Sequence, residues 1–135
     1  MSGASSSLAA LLLLASCGTS PASPRPARLG ETFTLAPAQA AQIEGAGLVV
    51  TFEGVDADSR CPVDVTCVWE GDAVVLVSAR PGSASRRELH TSGRYASEVE
   101  VGDYKLRLIG LVPAPRSGAS PAPGDYRASF EVTRR

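Results

Sequence analysis

One histidine, one tryptophan and one lysine occur in the 135 residues, and no G-x-S-x-G string is present. His90 therefore has no recognisable nucleophile elbow to serve, and its simplest place is the end of a strand. Glu98 and Glu100 are spaced to share one face of a strand, where carboxylates are solvated, and a single Trp69 makes no sugar platform. The chain reads as a non-enzyme with no cofactor and no metal centre of recognisable spacing. Neither sign of charge is in excess: 13 basic against 14 acidic residues give a net charge of -1. That removes the electrostatic case for nucleic acid, which rests on neutralising phosphates. The stretch GAGLVV at residues 45–50 lacks the third glycine of a dinucleotide loop. No amphipathic helix pattern is visible, and the length allows one domain.

Long apolar runs are also missing. The longest, Leu8 to Ala15, reads LAALLLLA; it is far short of the ~20 helical residues that cross a bilayer, but it suits the apolar region of a secretion signal. No charged side chain precedes Arg25. Small residues follow the run, and then Cys17. Leu14-Ala15-Ser16-Cys17 resembles the lipobox of bacterial lipoproteins, in which the leader is cut before a Cys that carries diacylglycerol and an acylated amine. The resemblance implies a membrane anchor at Cys17. Gly18, where an Asp commonly marks inner-membrane retention, implies the outer membrane, facing the periplasm, ahead of the inner membrane. The alternative is an ordinary signal peptide cut nearby with Cys17 left as a free thiol. Residues 18–28, GTSPASPRPAR, hold three prolines and no periodic apolar pattern; they read as an extended tether of ~3.1 Å per residue.

From Leu29 the pattern becomes apolar alternation punctuated by turns, the signature of β-structure. Strands are expected over Glu31–Leu35, Gln39–Glu44, Leu48–Val55, Asp72–Ala79, Ser85–His90, Glu98–Val101, Tyr104–Val112 and Tyr126–Val132. The continuous run in Asp72–Ala79 predicts a central strand buried on both faces. Gly102-Asp103 predicts a two-residue hairpin. Seven or eight short strands without a helix point to an all-β fold, an antiparallel β-sandwich of Ig-like or small barrel-like form. The organisation is then a signal peptide over 1–16, a lipidated Cys and Pro/Ser-rich tether over 17–28, and the β-domain over 29–135.

The most distinctive passage is DSRCPVDVTCVWEG, Asp58 to Gly71. With Cys17 lipidated, two thiols remain in an oxidising compartment, so Cys61 and Cys67 are expected to form a disulfide. Closing that seven-residue loop would contribute ~2–2.5 kcal/mol on the chain-entropy model. The pattern D-S-R-C-P-x-x-V-x-C-x-W-x-G ahead of an apolar strand is similar to small secreted and lipoprotein domains of bacteria, which implies a compact β-domain and brings no activity with it. As a structural element the loop would be a stapled crossover, with Trp69 filling the core and Arg60 pairing with Asp58 or Asp64. As a binding element it could use Asp56, Asp58, Asp64, Glu70 and Asp72 for a cation or small ligand. Zinc-thiolate, EF-hand and redox readings lack their spacings. Pro113–Gly124, PAPRSGASPAPG, is a second long loop, stiffened by proline and carrying Arg116.

The sequence thus predicts a lipid-anchored envelope module without catalysis, partnered by the membrane through Cys17 and by an envelope protein. Its recognition residues are expected on loops, at Asp58, Arg60, Asp64, Trp69 and Arg116, not on a sheet face. The alternative is a metal or small-ligand carrier.

Overall fold

A computed structural model describes residues 22–82 and 85–135, together with Met1 and Gly18. The signal residues and Cys17 lie outside that range, as does Ser83 of the expected turn at 80–83. Nine strands fall into two sheets, so the fold is an all-β sandwich. The first sheet has the order β1(Arg25–Arg28), β3(Ala40–Glu44), β4(Leu48–Asp58), β5(Ala73–Arg80), β6(Arg87–His90). The second runs β2(Thr32–Leu35), β9(Arg127–Arg134), β8(Tyr104–Val112), β7(Glu98–Val101). It is not a closed barrel.

Alternation places the core. Leu48, Val50 and Phe52 of β4 and Tyr126, Ala128, Phe130 and Val132 at β9 all point inward and are buried. Phe130 touches the rings of Phe33 and Phe52, each at 6.0 Å between centroids, and the Phe52 contact joins the two sheets. Offset and edge-on pairs of this kind add to the stabilisation from area burial. The outer face of the second sheet instead carries ion pairs between Arg107 and Glu131 and between Lys105 and Glu98.

Three expectations are corrected. First, β5 is central but not buried on both faces: Ala73, Val75, Val77 and Ala79 are buried, while Val74, Leu76 and Ser78 remain half-exposed. No layer covers the outer side of this sheet among the described residues, so the continuous run reflects β propensity and not double burial. Second, Arg25–Arg28, expected in the tether, forms β1 and pairs parallel with β3, Arg25 opposite Ala41 and Arg28 opposite Glu44. The sandwich is therefore not wholly antiparallel. Pro26 is tolerated because an edge strand need not donate on its outer side.

Third, β4 runs to Asp58, three residues past the expected end. Two bulges, between Phe52 and Gly54 and between Val55 and Ala57, interrupt its ladder with β5. The β4 residues opposite the buried Val77, Val75 and Ala73 are consequently Phe52, Val55 and Asp58. The inward spacing becomes three instead of two, which hides the alternation from a period-two reading. The second bulge turns Asp58 into the sandwich.

Phe130→Ala removes the ring that links the sheets and should lower stability by about 3–5 kcal/mol. Urea denaturation monitored by far-UV circular dichroism measures it; a loss below 1 kcal/mol would mean that the inter-sheet contact is not central.

Candidate functional site

Three loops meet at the end of the sandwich where β4 finishes: residues 59–72, 91–97 and 113–126. Asp58 fastens the first to the third. Its side chain is 4% exposed and that of Arg60 13%. Arg60 grips the carboxylate with two nitrogens, Nε to Oδ1 at 2.8 Å and Nη2 to Oδ2 at 2.7 Å. The Arg60 backbone N–H adds a bond to Oδ1 at 3.2 Å, and the Tyr126 hydroxyl donates to Oδ2 at 2.9 Å. Two of the three remaining guanidinium protons go to the carbonyls of Leu111, 2.7 Å, and Pro113, 2.8 Å. Arg60 thus pairs with Asp58, not Asp64. No buried side-chain polar atom among the described residues lacks a partner.

The protonation behaviour follows from this geometry. Burial works against charge on Asp58, but the bonds from Arg60 and Tyr126 outweigh it and hold the carboxyl below its ordinary 3.8. Burial, and then the adjacent Asp58 carboxylate, push the Tyr126 phenol above its ordinary 10.0.

Beyond Asp58 the strand pairing continues into the loop. Ser59 N–H donates to the Asp72 carbonyl at 2.7 Å and Cys61 N–H to that of Glu70 at 3.0 Å. The Cys61–Cys67 disulfide is formed, with Cα atoms 5.9 Å apart. Gly71 lies where the two sides converge: its φ is +69°, and a Cβ there would collide with the Ser59 carbonyl. The loop also leans on the third segment. Val63 N–H donates to the Pro115 carbonyl at 3.0 Å, and the Asp64 carboxylate accepts from Ser117 N–H at 2.8 Å. That bond lowers the Asp64 pKa. Arg116 and Ala119 exchange backbone bonds at 3.1 and 2.9 Å, closing a tight turn that leaves the Arg116 side chain exposed.

The second segment is held through Asp72. Its Oδ2 is 2.6 Å from His90 Nδ1, and its Oδ1 accepts from Ser92 N–H at 2.9 Å. Burial opposes the Asp72 charge, yet His90 and the Ser92 and Thr91 bonds bring its pKa below the ordinary value. The buried Ser92 gives its hydroxyl proton to Glu70, 2.5 Å away, and not to His90. The Tyr95 ring packs against His90 at 5.0 Å.

Trp69 does not fill the core. It is 67% exposed, beside Val68 at 90%, Val63 at 60% and Val65 at 46%. The Arg94 guanidinium lies over its ring at 5.1 Å, and the two flank a cleft of about 180 Å³ that Tyr95 and Ser92 also line. Phe52, Phe130 and Tyr126 already occupy the interior, and the seven-residue disulfide loop turns its apolar side chains outward. Of the expected recognition residues, Asp58 and Arg60 are structural, Asp64 is engaged by the neighbouring loop, and Trp69 and Arg116 face solvent. Asp58, the first residue of the DSRCPVDVTCVWEG passage, belongs to β4. Val63 and Val65 escape a sequence reading because apolar residues between two cysteines look like core, and Val68 and Tyr95 because an isolated apolar residue in a loop carries no signal of its own. The acidic residues offered as a cation site are dispersed: among the described residues no three His, Cys, Asp or Glu side chains converge on a common point.

No family model, curated protein or solved structure matches the chain.

Removing one partner of a buried ion pair leaves the other uncompensated. Asp58→Ala should therefore cost about 3 kcal/mol, and Arg60→Met with Asp58→Leu much less. Asp58 and Asp72 have depressed pKa values when folded. Their stabilisation is present above the ordinary 3.8 and lost as pH falls through the folded values. The raised Tyr126 pKa gives the opposite limb, with stability lost as pH rises through 10.0. Denaturation midpoints measured against pH should form a plateau between about pH 5 and 9, with Asp58→Asn flattening the acid side. Gly71→Ala should destabilise by more than the ~1 kcal/mol typical of a φ-positive glycine, since backbone must also move. A Gly71→Ala chain as stable as wild type would refute the close approach.

Proposed function

We propose that the chain is a lipid-anchored, non-enzymatic module of the bacterial envelope that docks through its disulfide-loop end. The anchor is diacylated Cys17, at the outer membrane and facing the periplasm. One observation carries the docking surface: four apolar side chains, Val63, Val65, Val68 and Trp69, are exposed on a loop that cannot fold them away. The disulfide, the Arg60 clamp and the Asp64–Ser117 bond fix the loop in that posture. Apolar side chains exposed together on one loop suit an interaction site, and a stiff loop loses little entropy when it is covered. The outer face of the β2–β9–β8–β7 sheet carries ion pairs beside the exposed Ile109 and Val112 of β8, on a regular strand and not on a projecting loop.

Two further observations support a binding role over catalysis or metal carriage. The Asp72–His90 pair has its neighbouring hydroxyl, Ser92, committed to Glu70. Each carboxylate of the metal alternative except Asp56 already accepts a hydrogen bond or ion pair: Asp58, Asp64, Glu70 and Asp72.

Metabolic labelling with a radioactive fatty acid should mark the wild-type chain and not Cys17→Ser, and the variant should leave the membrane fraction. An unlabelled, fully soluble wild-type protein would end the reading. Melting temperatures should stay unchanged on adding Ca²⁺, Zn²⁺ or EDTA; a cation-dependent rise would favour the carrier instead.

A further inference from the structure

We propose that the occupant of the disulfide-loop end is the lipid surface itself, with Val68 and Trp69 seated in its interfacial layer. The proposal rests on the lipid-anchor reading above and names the partner of that same surface.

Strand direction is the first support. β4 climbs from Leu48 to Asp58, where the loop end begins. β1 descends beside β3: Arg25 is level with Ala41, itself opposite Val50, and Arg28 is level with Glu44 below it. The chain ahead of Arg25 therefore comes from the side of the loop end. Length is the second support. Eight residue steps separate Cys17 from Arg25, a reach of up to ~28 Å. Val50 and Asp58 of β4 pair with Ala79 and Ala73, six steps apart on β5, a rise of ~20 Å. The level of the loop end is thus within chain reach of an anchor at Cys17.

The chemistry of the tip is the third. Tryptophan prefers the boundary between headgroups and acyl chains, where its ring is buried and its N–H stays wet. Val68 is the most exposed of the loop's large apolar side chains, at 90%. Arg94, stacked on Trp69, has a long stem that can lie along apolar surface while its charge reaches the headgroups. The nearby carboxylates of Asp58, Asp64 and Glu70 are turned to Arg60, Ser117 and Ser92. Four side chains are too few to hold a protein on a bilayer unaided. Tethering changes this: the anchor makes tip contact intramolecular, at millimolar effective concentration for a short linker.

Trp69 is the single tryptophan, so its fluorescence reports the tip directly. The full chain, lipidated at Cys17, is reconstituted in phosphatidylethanolamine–phosphatidylglycerol vesicles, some with acyl chains brominated near the headgroup. Trp69 emission should shift to the blue, be quenched by the brominated lipid and resist iodide. Val68→Asp, at a solvent-facing position, should reverse all three while the chain remains labelled and folded by circular dichroism. A labelled chain whose Trp69 is as red and iodide-accessible as that of Cys17→Ser in buffer overturns the proposal and leaves the anchor standing. A blue shift only after envelope extract is added overturns it in favour of a protein occupant. An unlabelled chain removes the anchor reading and this one with it.

Discussion

The buried pairing of Asp58 with Arg60 is the constraint on which the functional end of the molecule depends. The first bulge in β4 turns Val55 inward and the second returns Asp58 to that face, opposite the small Ala73. Once the carboxylate is inside, it must be matched, and Arg60 two residues later is close enough to do so with both ends of its fork. Two further guanidinium protons then reach β8 and the segment after it, so one charge pair ties the end of β4, the middle strand of the first sheet, to the second sheet. Tyr126 completes the shell from the start of β9. Such a pair adds little net stability compared with an apolar substitute, because desolvation offsets attraction. Its contribution is placement: it forces the chain from 59 to 72 to leave the core at one point and in one direction.

That exit direction explains why Trp69 is outside. A tryptophan next to a disulfide reads as core, and in a sequence there is no sign of which side of a short loop faces in. Here the space it would need is taken by Phe52, Tyr126 and Phe130, all buried. The strands themselves were largely legible, because alternation in β2, β3, β7, β8 and β9 reports directly on one buried face. What escaped was each place where the period changed or was masked. β1 contains Pro26 between two arginines, a composition that also describes a tether, and only its partner β3 makes it a strand. The end of β4 lost its period to the bulges. β5 kept an unbroken apolar run whose outer half is merely β-prone. Asp58 and Arg60 were visible as a pair, but their burial depends on tertiary contacts from residues 111–126, which no local pattern encodes.

The loops at this end are joined to one another as well as to the strands below. Asp64 meets Ser117, Asp72 meets His90 and Ser92, and Arg60 meets Leu111 and Pro113. Every bond in that set runs between segments far apart in sequence, so the surface forms only when the whole sandwich has closed. The proposed docking surface is thereby coupled to folding: a chain that has not completed its core cannot hold Val68 and Trp69 in this posture.

The parallel pairing of β1 has a mechanical consequence. Tension on the chain ahead of Arg25, directed along the strand, would load the hydrogen bonds to β3 together, in shear, because both ends of the ladder resist at once. The same pull across the strand would break them singly, from Arg25 downward. With the neighbouring edge secured by Ala27 and Leu29 against the core, the four-residue strand acts as a strain relief between the tether and the sandwich. Whatever tugs at the N-terminal side of this domain acts first on β1, and the loop end is spared.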